Sequence, residues 1–139
     1  MIKNFTLQEM LRTSVGKDNF PATFEILSNL IQTTERLQVI RDKCGFPINV
    51  NSCFRSEAVN KAVGGSSTSM HTKALAVDAC ASSEARNRRI YEVCRECMDN
   101  LGIDQLIMYN IVPADSRSNI RFIHIGFTDG IPRHQLLFK

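Results

Sequence analysis

No apolar stretch in the sequence is long enough to span a bilayer. The first residues, MIKNFTLQEMLRTS, also lack the uninterrupted apolar run and small-residue cleavage site of a secretory signal. These absences predict a chain made in the cytoplasm that reaches an outer compartment only with help. No basic run interleaved with aromatics occurs, and the net charge of +3 is scattered, so nucleic-acid binding is disfavoured. A modest positive charge would still suit approach to a polyanionic surface such as a cell wall. Internal repeats and low-complexity segments are missing as well. A single domain over residues 1–139, acting as a monomer, is the resulting expectation, and that length buries a core without staples. An apolar share of 43% and a charged share of 22% place the chain among ordinary soluble globular proteins.

Cysteine is present in an odd number, five (Cys44, Cys53, Cys80, Cys94, Cys97), which excludes full disulfide pairing and agrees with a reducing birthplace. Cys94-Arg-Glu-Cys97 has the CxxC spacing of zinc and redox motifs. No second such pair exists, and Ile90, Val93, Cys94, Cys97, Met98 and Leu101 recur at helical spacing. The two thiols are therefore expected to be small core hydrophobes.

Capping-box spacing at Thr6 and Glu9 predicts a short helix to about Arg12. After the turn at Asp18-Asn19-Phe20-Pro21, with Pro21 suited to a first helical turn, Phe24, Leu27, Leu30, Ile31, Leu37, Ile40 and Cys44 form an apolar stripe that Gly45 ends. A strand over Pro47–Cys53, a short helix over Ser56–Val63, a polar loop and a strand over Ala74–Cys80 follow. Then come a helix over Ser83–Leu101 stopped at Gly102, a strand over Asp104–Tyr109, a loop over Val112–Asn119, a strand over Ile120–Phe127 and a tail strand over Gln135–Phe138. Without regular βαβ alternation the pattern predicts an α+β domain with a small, mostly antiparallel sheet flanked by helices.

Within that frame, the stretch SSTSMHTKALAVD raises a chemical question. It sets a histidine, His71, in a polar loop and an aspartate, Asp78, in an apolar strand. A buried carboxylate is costly unless it is paired, hydrogen-bonded or bound to a metal. Strand parity points Leu75 and Val77 one way, and Ala74, Ala76 and Asp78 the other, which leaves room above the carboxylate. Parity in the strand over Ile120–Phe127 likewise joins His124 to Phe122 and Gly126, with Ile123, Ile125 and Phe127 opposite. His71, Asp78 and His124 make three candidate ligands, and three ligands with one open position are the arrangement of a catalytic zinc. Taken singly, each is more ordinarily a hydrogen-bonded strand histidine or a capping aspartate.

Ser69-x-His71-x-x-Ala-x-Ala-x-Asp78 followed by Phe122-Ile-His124 resembles the pattern of the zinc D-alanyl-D-alanine carboxypeptidases, the LAS-type or hedgehog-fold metallopeptidases. Asn4–Glu9, Pro47–Ser52 with Phe54-Arg55-Ser56, Asn60–Gly65 and Asp104–Ile107 extend the resemblance to a short phage- and prophage-associated branch, over roughly residues 3 to 127. The resemblance implies a hedgehog-type peptidase fold and a zinc ion on His71, Asp78 and His124. It also implies that Arg55 holds the scissile carbonyl or a substrate carboxylate with its donor fork, and that Ser69 hydrogen-bonds substrate. The plainer alternatives are a solvated arginine and a loop-capping serine.

Two positions depart from the family pattern. The glycine three residues after the first histidine is Ala74, which costs about 1 kcal/mol if that position needs positive φ. The acidic residue three before the last histidine, the family's general base, is Arg121, and the glutamate sometimes found after the QLI segment is replaced by Met108, Tyr109 and Asn110. Zinc alone brings the pKa of a bound water to about 7. Losing a general acid or base, however, costs on the order of 10²–10⁴ in rate. Asp115, in the loop before the histidine strand, is one candidate substitute, unless it is an ordinary exposed loop carboxylate. His134 is another, and Arg121 itself would stabilise an oxyanion or bind a peptide carboxylate. The expected function is hydrolysis of peptidoglycan stem peptides, as carboxypeptidase or cell-wall endopeptidase. The alternative is a catalytically impaired, zinc-containing wall-binding module.

Overall fold

The computed structural model describes residues 2–139. Its helices are α1 (Leu7–Met10), α2 (Phe24–Cys44), α3 (Glu57–Ala62), α4 (Glu84–Glu96) and α5 (Met98–Leu101), with a single 3₁₀ turn at Met70–Lys73. Its strands are β1 (Asn49–Ser52), β2 (Ala76–Cys80), β3 (Ile103–Asn110), β4 (Ile120–Phe127) and β5 (Gln135–Phe138), in the sheet order β1-β2-β4-β3-β5. Every pairing is antiparallel except that of β3 with β5. This is the expected α+β, mostly antiparallel architecture of a small hedgehog-like peptidase domain.

Local chemistry sets the boundaries. Thr6, Thr23, Ser56 and Ser83 each accept a hydrogen bond from a backbone N–H two or three residues into their helix, satisfying donors the helix leaves free. Gly45 ends α2 in the left-handed region at φ 76°. Thr23 rather than Pro21 begins α2, so the proline lies just outside it. Of the predicted stripe, Leu30, Leu37 and Ile40 are fully buried, whereas Phe24 is 90% exposed and Ile31 is also exposed. The buried face of α2 instead takes in Thr33, Thr34 and Gln38, because each finds a partner: the Ala74 carbonyl, the Leu30 carbonyl, and the amides of Lys3 and Asn4.

The helix expected over Ser83–Leu101 breaks at Cys97, whose φ and ψ of −101° and 7° leave the helical region, and restarts as α5. Gly102 then closes it at φ 63°, where a Cβ would lie 2.7 Å from the Thr128 carbonyl, so glycine is needed there for both conformation and space. Cys94 and Cys97 are buried in the hydrophobic core, as their spacing predicted. All five cysteines are free, and burial pushes the Cys44 thiol up to about 11 and that of Cys94 well above its ordinary value.

Val50, Val77, Ala79, Leu106, Met108, Ile123 and Ile125 form a continuous buried layer with α2 and α4. Burying each leucine or isoleucine contributes about 1.5–3 kcal/mol. The opposite face carries Asp78, His124, Ile107 and Tyr109, and the segment between Phe54 and Leu75 folds back over it. No helix of the described residues is long and apolar enough to cross a membrane.

Candidate metal centre

Asp78 and His124 are register partners on the adjacent strands β2 and β4, so their side chains leave the sheet side by side. His124 Nδ1 lies 2.9 Å from Asp78 Oδ1. His71 arrives from the other side of the carboxylate, on the 3₁₀ turn. Ser69 caps that turn by accepting from the His71 amide, Thr72 Oγ1 donates back to the Ser69 carbonyl, and Ala74 terminates it in the left-handed region at φ 58°. The conditional cost at Ala74 is therefore real. Its methyl is fully buried, however, and burying one methyl recovers about 0.8 kcal/mol of the roughly 1 kcal/mol lost. Ala74 lies outside β2, which starts at Ala76, and its left-handed turn puts it in the hydrophobic core rather than on the Asp78 face that strand parity predicted. Ala76 alone shares that face, and the 3₁₀ turn packs on β2. His71 Nε2 thereby comes within 3.4 Å of Asp78 Oδ2.

What neutralises Asp78 is then visible. Both imidazoles and the Arg55 guanidinium, whose Nη2 is 3.4 Å from Oδ2, surround the carboxylate. Burial alone would raise its pKa. Hydrogen bonds from His124 and His71 and their charges outweigh that, and the group sits well below the ordinary carboxylate range.

The three side chains also fit a divalent metal. His71 Nδ1 is 2.6 Å from the Cys53 carbonyl and donates to it, so Nε2, aimed at Asp78, is the nitrogen that would bind a metal in exchange for its hydrogen bond to the carboxylate. One ligand atom from each of His71, Asp78 and His124 lies within 4.8 Å of the others. Tetrahedral zinc with bonds near 2.0–2.1 Å requires ligand atoms about 3.3 Å apart. Here each histidine meets its own carboxylate oxygen, His124 Nδ1 at 2.9 Å from Oδ1 and His71 Nε2 at 3.4 Å from Oδ2, so the group is gathered to within reach of one ion. The imidazole centroids are 5.2 Å apart and inclined by 63°, turned towards each other without stacking.

The group lies in a cleft of about 560 Å³ that Arg55, Ser69, Tyr109, Phe122, Arg133 and Lys139 also line. Arg55 is held by its Nε on Ser52 Oγ and its backbone N–H on the His71 carbonyl. Ser69 both caps the 3₁₀ turn and faces the cleft. Arg121, Asp115 and His134 are not among the lining residues. Arg121 is exposed, its guanidinium 5.7 Å from the Phe122 ring centroid. Asp115 accepts from the Arg117 amide within its own loop, and His134 pairs with Asp99 at 2.7 Å. Asp78 is the only carboxylate side chain among the described residues lining the cleft.

Sequence reasoning missed Tyr109, Arg133 and Lys139 as cleft residues. Arg133 is anchored by Asp104, which accepts from its amide, Nε and Nη2 at 2.7–2.9 Å. Parity on β3 would have grouped Tyr109 with Ile107, but only the register of β3 on β4 reveals that this is the His124 face.

An α+β domain whose sheet face brings two imidazoles and a carboxylate together in an open cleft has the architecture of a metal-dependent hydrolase. The family model for Peptidase M15 matches residues 3–108, and the chain belongs to that family, the zinc D-Ala-D-Ala carboxypeptidase type. His71 and Asp78 fall within the match and His124 beyond it, so the third member of the group is supplied by the fold. No curated protein matches the chain.

Proposed function

We propose that this protein is a zinc metallopeptidase that hydrolyses peptidoglycan stem peptides, as a D-Ala-D-Ala carboxypeptidase or a cell-wall endopeptidase. The single observation that carries the reading is the convergence of His71, Asp78 and His124 in a cleft, within a chain of the Peptidase M15 family. Zinc held by these three side chains would act as a Lewis acid on the scissile carbonyl and lower the pKa of a water to about 7.

The chain's own residues do the rest. The Cys53 carbonyl keeps His71 in the ligating tautomer, and Asp78, charged throughout the neutral range, balances the cation. Arg55, fixed by Ser52 and Asp78, presents its remaining N–H groups to a peptide carboxylate or carbonyl, and Ser69 borders the same space. Arg133 and Lys139 add positive charge to the cleft, which favours an anionic peptide. We further propose a single-domain monomer of the phage- or prophage-encoded branch, reaching the wall on release at lysis or through a helper exporter.

Purified protein should hold about one zinc per chain and release D-alanine or peptide from wall fragments, and His71→Ala should remove both properties. Metal-free protein that still digests walls would refute the proposal. A second reading, a wall-binding module with impaired catalysis, is favoured by the absence of a second carboxylate side chain among the described residues lining the cleft. Saturable binding of wall peptides with no turnover, and no gain on Arg121→Asp, would establish that module; robust turnover would eliminate it.

A further inference from the structure

A cleft that hydrolyses a peptide needs hydrogen-bond donors aimed at the scissile carbonyl oxygen, where negative charge develops. Several of its donors already have partners within the protein. Arg55 is bonded to Ser52 and Asp78, Arg133 to Asp104, the Gln105 amide to Gln135, and the His71 ring to the Cys53 carbonyl. The hydroxyl of Tyr109 makes no hydrogen bond within the described residues, and Tyr109 lines the cleft.

The sheet places Tyr109 beside the ligand group. In the β3–β4 register Ile107 faces His124 and Tyr109 faces Phe122, so Tyr109 and His124 are diagonal neighbours on one face. Such neighbours are about 7–8 Å apart, a gap aromatic side chains bridge. Phe122 stacks on the Tyr109 ring, with centroids 4.5 Å apart and planes 18° from parallel, which restricts where the phenol can point. Partial burial, then the charge of Asp78, raises the phenol's pKa, so at neutral pH it remains a donor.

We propose that Tyr109 is a catalytic residue of this cleft, its hydroxyl donating a hydrogen bond to the scissile carbonyl oxygen as negative charge builds on it. The proposal rests on the peptidase reading above. The phenol O–H stays intact throughout. Water adds to the carbonyl carbon, the C=O bond becomes C–O⁻ against the tyrosine donor, and the carbonyl re-forms as the C–N bond breaks. The proton lost by the water ends on the leaving amine. Tyr109 thus supplies charge stabilisation from inside the cleft, a role distinct from that of a general acid or base.

The test compares wild type with Tyr109→Phe, which keeps the stack on Phe122. Turnover of the wall peptide that wild type cleaves should fall about 10²-fold in kcat with KM within about twofold, at unchanged zinc content. A phosphinate analogue, whose tetrahedral anion imitates the charged intermediate, should bind about 10²-fold more weakly, while affinity for the uncleaved peptide holds. Equal kcat and equal phosphinate affinity would overturn the role of Tyr109 while leaving the peptidase reading intact. Parallel loss of peptide and phosphinate affinity, or of zinc, would assign the residue to structure and also overturn it. A wild type that neither cleaves any wall peptide nor binds the phosphinate overturns the peptidase reading, and this role with it.

Discussion

Ile123 and His124 are bonded neighbours on β4, yet they occupy different media. Ile123 is fully buried against the helices, in the layer it shares with Val77, Ile125, Leu30 and Ile90. His124 faces the cleft, hydrogen-bonded to Asp78 and diagonal to Tyr109. Val77 and Asp78 repeat the contrast on β2. One face of the sheet is held by non-directional burial, where shape and volume matter. The other is held by directional bonds among charged groups, where an unpaired partner is costly. A change on the first face should therefore act on stability and spare chemistry, and a change on the second should do the reverse.

The sharpest way to break that contrast is at Asp78. Asp78→Ala should abolish turnover and the response to metal. Zinc at about 100 times its Kd stabilises a binding-competent fold by about 2.7 kcal/mol. Thermal melts with and without zinc should show that gain in wild type and none in the variant. Equal gains would mean the metal sits elsewhere. On the opposite face, Ile123→Ala should cost about 2–5 kcal/mol in urea unfolding while the folded fraction keeps its zinc stoichiometry. A collapse of metal binding in folded Ile123→Ala would show that the faces are not separable.

A smaller effect is expected at the sheet's far edge, where Asp104 on β3 holds Arg133 just before β5. The Arg133 hydrogen bonds lower the Asp104 pKa below its ordinary 3.8. A depressed carboxylate contributes stability above its unfolded pKa and loses it as pH falls through the folded value. Asp104→Asn should therefore cost up to about 1 kcal/mol near neutrality, and the difference from wild type should vanish at acid pH. Paired denaturation curves at neutral and acid pH would show whether the gap closes. The smallest effect is predicted at Ala74. Because relief of the left-handed conformation and loss of a buried methyl nearly cancel, Ala74→Gly should shift stability by less than about 0.5 kcal/mol. A larger change in either direction would mean that one of the two contributions dominates.

The Thr6 cap, the glycine stops at Gly45 and Gly102, the α+β class, the existence of each strand and the core placement of Cys94 and Cys97 were legible because each depends on neighbours a few residues away. The Thr23 cap and the left-handed turn at Ala74 that delays β2 to Ala76 were not. Parity alone also separated Asp78 from Val77 and His124 from Ile123. Phe24 and Ile31 were misassigned to the core because helical spacing says which residues share a face, not how far the neighbouring elements reach along it. The break at Cys97 carries no local signal comparable to a proline or glycine.

The chain by itself determined which side chains share a face, since the two-residue repeat of a strand is a local property. It also determined that two histidines and an aspartate of ligand type were available. Tertiary structure decided that Asp78 pairs with His124 in register, that the 3₁₀ turn carries His71 to the same carboxylate, and that Tyr109 enters the cleft while Arg121, Asp115 and His134 do not. Those outcomes depend on strand order and on segments dozens of residues apart meeting through shared burial, which no local window of sequence contains.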